Sequence, residues 1–140
     1  MVTSVQVVVD ALDPHAQARF WAAALHYDVE DTTALIEQLD TGGLLTPEQW
    51  FSEGGQRWFK DLVGIRDPDG AAPRLLFQRR PDAKVGKNRV HLDLNVGREQ
   101  RAEEVTRLEG LGARVLYEID EPGGRHTTMA DPEGNEYCVQ

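Results

Sequence analysis

The side chains with the most chemistry to offer lie in two short stretches of the second half, "VHLDLN" from Val90 and "NEYCVQ" from Asn135. In the first, Val90, Leu92, Leu94 and Val96 alternate with His91, Asp93 and Asn95, the period-two pattern of a strand with one apolar and one polar face. His91 has the chemistry of a metal ligand or a general base; its other reading is a histidine hydrogen-bonded in place without a chemical role. Asp93 shares its face. A carboxyl group buried there would have a raised pKa and could take a proton from a substrate, but bracing a neighbouring strand is the commoner role and the one favoured here, as it is for Asp10 beside Gln6. Cys138 is the only cysteine. With His91 nearby its thiolate would be a nucleophile, yet no cationic cluster adjoins it in sequence, so a small buried apolar side chain is the stronger reading. His126, Arg79 and Arg80 are further polar candidates with ordinary solvated readings.

The elements that must position these residues repeat. At an offset of 85, "VQVVVD" from Val5 overlays the "VHLDLN" stretch, and both read as strands. Asp13 and Pro14 make an N-cap and first-turn pair for a helix in which Ala16, Phe20, Ala23 and Ala24 recur at helical spacing; the counterpart places Ala102, Val105 and Leu108 on one side, with Gly110 as a stop. "LHYDV" then matches "LGARV", so that His26 stands where its twin has Gly112 and a left-handed backbone there would carry mild strain. The turns "DPDG" at Asp67 and "DPEG" at Asp131 suit tight connections between antiparallel strands, and "PRLLFQ" and the "NEYCVQ" stretch follow as closing strands. Each half thus reads as strand, helix, then three strands.

Between Val29 and Asp67 the first half carries about 22 extra residues, an insertion at about 31–60. Thr46, Pro47 and Gln49 make a capping-box start for a short helix, and Gly42-Gly43 and Gly54-Gly55 could act as hinges. Trp50, Phe51, Trp58 and Phe59 crowd into ten positions, where they either fill a satellite core or roof a site as flat apolar walls; Phe20 and Trp21 belong to the main core. Composition bounds the rest. The chain of 140 residues fits a single domain, and its formal charge of −9 disfavours nucleic acid and anionic membrane partners. No apolar run approaches a membrane span, "MVTSVQVVVDALD" lacks the basic-then-apolar pattern of a secretory leader, and one cysteine forms no internal disulfide, so a soluble cytoplasmic protein is expected.

The paired modules, the Asp-Pro helix start, the DPDG and DPEG turns and the "NRVHLDLNV" stretch together resemble the vicinal oxygen chelate superfamily, the glyoxalase and bleomycin-resistance group. The resemblance implies an α+β fold in which two βαβββ modules, 1–80 and 88–140, form a curved mixed-sheet cup with the helices outside. It also implies a site at the cup floor, a common tendency to homodimerise, and four floor positions that carry His, Gln or Glu in metal-using relatives. Carried onto this sequence those positions are Gln6, Gln78, His91 and Cys138, a set lacking both carboxylates; Glu136 lies about 6–7 Å along its strand from Cys138, too far to replace one. The implied ligand set is poor for a divalent ion, so no metal and no other cofactor is expected. The expected function is binding of a small, partly aromatic, neutral or cationic molecule, stacked on Trp50 and Trp58 and oriented by Gln6, Gln78, His91 and Asp93, with Glu136 and Cys138 adjoining. The alternatives are a metal-dependent lyase, isomerase or dioxygenase, and a metal-free enzyme using Asp93 or Glu136 as base.

Overall fold

The helix expected from Asp13 and Pro14 forms as α1 (Pro14–Leu25). Asp13 caps it from an extended conformation, its carboxylate accepting the Ala16 amide at 2.9 Å, and Pro14 occupies the first turn, where an N–H has no intrahelical partner to lose. His26 ends the helix with φ 58° and ψ 37°, a left-handed geometry at the position where its counterpart in the second half is Gly112, also at positive φ.

The computed structural model describes all 140 residues, which divide into two units, Met1–Pro81 and Asp82–Gln140. The first contains β1 (Val7–Ala11), α1, β2 (Asp28–Val29), α2 (Thr33–Thr41), a 3-10 turn at Pro47–Gln49, β3 (Trp50–Glu53), β4 (Gln56–Phe59), β5 (Leu62–Arg66) and β6 (Leu75–Arg79). The second contains β7 (Asp93–Leu94), α3 (Arg101–Gly110), β8 (Arg114–Glu121), β9 (Gly124–Ala130) and β10 (Glu136–Val139). The main sheets run β1-β6-β5-β2 and β7-β10-β9-β8, each with its first strand parallel to its last and the other neighbours antiparallel. Each unit is therefore the βαβββ module that the repeat predicts.

In the first unit Phe20 and Trp21, edge to face at 5.4 Å, pack from α1 with Val63, Ile65, Leu75 and Phe77 of the sheet. In the second, Leu108 of α3 is buried with Leu94, Met129, Tyr137 and Val139. Full burial of each large side chain contributes about 1.5–3 kcal/mol, which makes these alternating strand positions the cement of each module. Burial also keeps the Tyr137 phenol neutral, its pKa raised well above the ordinary 10.0.

Three expectations are corrected. The strand expected over Val90–Asn95 shrinks to Asp93–Leu94, because β7 is an edge strand that pairs only with the four-residue β10; Leu92, Leu94 and Val96 still face inward, but Val90 is exposed. Gly54-Gly55 is not a hinge. Both residues have positive φ, 62° and 77°, and form the two-residue turn of the β3–β4 hairpin, a geometry that favours glycine at both positions. The capping box at Thr46 forms but starts only the 3-10 turn, whereas α2, which lacks a side-chain cap and buries only Ile36, carried no sequence signal strong enough to announce it. At the other edge, β8 leaves Val115, Leu116 and Tyr117 exposed, with a bulge between Val115 and Tyr117. No helix is long and apolar enough to cross a membrane.

Candidate functional site

The face of the first sheet turned away from α1 carries Gln6, Val8 and Asp10 from the β1 segment, and Arg74, Leu76 and Gln78 from the β6 segment. Its polar groups are committed to one another. Glu30 binds Arg66 and Arg74, each at 2.6 Å, and Arg74 Nη1 also donates to Gln6 Oε1 at 2.6 Å. The hydrogen bond from Arg74 lowers the Glu30 pKa to about 2, against an opposing effect of burial and with help from Arg66. This ion pair lies flat over Gly64: a Cβ there would overlap Glu30 Oε2 and Arg74 Nη2, so only glycine leaves it room. Gln78 is likewise engaged, its Nε2 donating to Asp10 Oδ1 at 2.7 Å.

The equivalent face of the second sheet is arranged differently. Residue by residue, register pairs Asp93 of β7 with Cys138 of β10, Cys138 with Thr128 of β9, and Thr128 with Tyr117 of β8. Directly opposed residues point to the same face, so a carboxylate, a thiol, a hydroxyl and a phenol form one row across the sheet. Thr128 Oγ1 is 3.6 Å from Cys138 Sγ. His91 Nδ1 lies 3.4 Å from Asp93 Oδ1, and ligand-type atoms of His91, Asp93 and Cys138 all fall within 4.8 Å of one another.

Glu136 faces the same way but is occupied. Lys84 Nζ approaches it at 3.1 Å and the Asn88 amide donates to it at 2.9 Å. Burial alone would raise its pKa; the bonds from Asn88 and Lys84 outweigh that and hold it below the ordinary carboxylate value. Nothing in the sequence pointed to Lys84 or Asn88.

Register also revises the choice of Gln78. With Val8 paired to Leu76 and Asp93 to Cys138, the residue in Cys138's place in the first sheet is Leu76, and Gln78 corresponds to Gln140. The side chains agree: Gln140 Nε2 donates to Asn95 Oδ1 at 2.9 Å, the twin of the Gln78–Asp10 bond. The miscount came from the turn. Leu76 lies nine residues after Asp67 but Cys138 only seven after Asp131, and Gln78, eleven after Asp67, allows for the longer loop by two residues too many. By the same correspondence Asp93 replaces Val8, and a carboxylate absent from the closing strand appears on the opening one.

Trp50 and Trp58 do not wall one site. Phe51 pairs with Trp58 and Trp50 with Phe59, which puts the two tryptophans on opposite faces of the hairpin. Phe51 and Trp58 meet the His15 ring of α1 edge-on at 5.2 and 6.3 Å, while Trp50 is covered by the Arg57 guanidinium at 4.8 Å.

The sequence matches the glyoxalase-like domain family over residues 6–140. The chain belongs to that family. No curated protein matches it. A mutant of the fosfomycin resistance protein FosX from Listeria monocytogenes, complexed with Mn(II) and 1S,2S-dihydroxypropylphosphonic acid, is similar with a TM-score of 0.65 at 12% identity, covering 100% of this chain and 90% of that one. The bleomycin-binding protein of Streptomyces verticillus, complexed with copper(II)-bleomycin, has a TM-score of 0.55 at 17% identity, covering 100% and 96%. A glyoxalase/bleomycin resistance protein/dioxygenase family enzyme from Burkholderia phytofirmans PsJN has a TM-score of 0.64 at 12% identity, covering 96% and 94%. At such identities the likeness is one of fold, while membership of the glyoxalase-like family rests on the sequence match over residues 6–140.

Metal-using neighbours raise the question of fit. Imidazole, carboxylate and thiolate are all competent zinc donors, and three protein ligands with an open position is the arrangement of catalytic zinc sites. Atoms bound to one zinc lie roughly 3.3–3.8 Å apart, so His91, Asp93 and Cys138 would need to draw together by about 1 Å. His91 and Asp93 are exposed enough to do so, and the donor set fits.

Proposed function

We propose that this glyoxalase-like protein binds a small, partly aromatic molecule of neutral or positive charge and sequesters or carries it without a metal ion. The observation that carries this reading is the Asp93–Cys138–Thr128–Tyr117 row. Tyr117, 47% exposed, offers a flat ring for an aromatic group, and Asp93 beside His91 receives a donor or cation at the far end, with Thr128 buried between them. Tyr117 takes the stacking role that the opposed faces of Trp50 and Trp58 rule out as a shared one. Metal independence is supported by the engagement of Glu136 with Lys84 and Asn88, and by the apolar Val8 and Leu76 at the corresponding places of the first sheet. The same reading takes the protein as a cytoplasmic homodimer, which sedimentation velocity tests.

The test is calorimetric titration of chelator-treated protein with neutral and cationic aromatic compounds, copper-free bleomycin among them. Saturable binding is expected, weakened at least about tenfold in Asp93→Asn and in Tyr117→Ala, which corresponds to the loss of about 1.4 kcal/mol. Silence across the set, or binding indifferent to both substitutions, overturns the reading.

A second reading rests on the proximity of His91, Asp93 and Cys138. They would hold a divalent ion, which when bound supplies a Lewis acid for polarising a substrate oxygen. Asp93 and the Cys138 thiolate would neutralise its charge, and Thr128 would orient the sulfur. Stoichiometric metal in the purified protein, and a cobalt-thiolate absorption band that Cys138→Ser abolishes, would establish it in place of the metal-free reading.

A further inference from the structure

A cleft of about 340 Å³ in the second unit shares no lining residue with the Asp93 row. It lies where β8 turns into β9 and α3 begins, and its walls include Arg98, Arg101, Arg125, Glu121, Pro122 and Gln140. In a chain with 15 basic residues against 24 acidic ones, this cleft gathers three guanidinium groups around the Glu121 side chain and the carboxylate end of Gln140, which lifts the local charge above the acidic average. Arg125 is held by Asp120. Arg98 and Arg101 form no ion pair or hydrogen bond, although carboxylates are the commonest charged groups on this chain. Two unpaired, like-charged side chains on one cleft repel each other unless an anion lies between them.

We propose that this cleft binds the phosphate group of a small phosphorylated molecule. Arginine stays charged at any working pH and presents its N–H groups as a planar fork that matches phosphate oxygens two at a time. Two free guanidinium groups balance a dianion, which favours phosphate over a single carboxylate. The volume sits at the lower end of the range for ligand pockets and exceeds what a bare phosphate fills, leaving room beside Pro122 for the organic remainder. The site is a local exception to the acidic balance of the chain, and it stands or falls separately from the row above.

Calorimetry with inorganic phosphate and with acetate, at constant ionic strength, tests it on the full chain. Phosphate should saturate with a dissociation constant of about 1 mM and weaken at least about fivefold in Arg98→Ala and in Arg101→Ala; acetate should bind at least about tenfold more weakly. Arg114→Ala, which removes the same charge elsewhere on β8, should leave the affinity within about twofold. Thermal melts confirm folding, and since Arg98 is exposed its variant keeps the test alive if the half-buried Arg101 proves structural. Absence of saturation below about 50 mM, equal weakening in Arg114→Ala, or acetate as tight as phosphate would each overturn the proposal.

Discussion

Glu30 holds two arginines over a glycine, and its titration gives the first module a signature in acid. Its pKa is about 2 in the folded protein against an ordinary 4.5, so as pH falls the unfolded chain takes up the proton first. The stabilisation is complete above pH 4.5 and is lost as pH falls through about 2. Because Arg66 is 63% exposed and screened by solvent, we expect about 1–2 kcal/mol rather than the full value of the shift. Glu30→Gln should be less stable by that amount at neutral pH and should converge on the wild type near pH 2, as read by denaturant midpoints across pH. Of this network the sequence showed nothing, because it joins residues 36 and 44 positions apart that no periodicity links. Cys138 and Asp93, by contrast, were each singled out on their own strands, and what escaped was that they stand directly opposite, since facing register belongs to two strands and not to either.

At the level of elements, the duplicated turns look alike in sequence but differ in weight. Asp131 is 2% exposed and accepts the amides of Glu133 and Asn135 and the Asn135 side chain, all at 2.9 Å. Asp67 makes a similar set of bonds to Asp69, Ala71 and Ala72, but in the open. Removing a buried acceptor strands its donors, so Asp131→Ala should cost about 2–3 kcal/mol, and Asp67→Ala distinctly less, in matched thermal melts. The main elements were legible because each carries a local device, such as the Asp13 cap, the paired turns or alternation around Leu94 and Val139. The insertion was not, since α2 is held by tertiary contacts: Thr32 Oγ1 donates to the Arg57 carbonyl at 2.7 Å and Thr33 Oγ1 accepts the Arg57 amide at 2.9 Å.

For the molecule as a whole, duplication of the βαβββ module could be read by overlaying the chain on itself, and the identical strand orders of the two sheets follow from it. The modules have diverged in employment. One face closes on its own ion pairs, while the other keeps an acid, an imidazole and a thiol together. Effects of substitution should therefore separate: Glu30→Gln lowers the melting temperature and leaves cobalt or ligand affinity within about twofold, whereas Asp93→Asn and Cys138→Ser shift affinity about tenfold with melting changed little. Melting curves and titrations on the same samples check this.

The bulge at Leu116 has a bearing on shelf life. An outermost strand of eight residues, with free amides and carbonyls and exposed side chains, would otherwise be a template on which a stranger's strand could dock and fibres could grow. The surplus residue twists that template out of line, and Glu118, Asp120 and Glu121 discourage a second copy by repulsion. Deleting Leu116 would straighten the ladder, and concentrated solutions of that variant should turn cloudy and bind amyloid dyes where the parent stays clear.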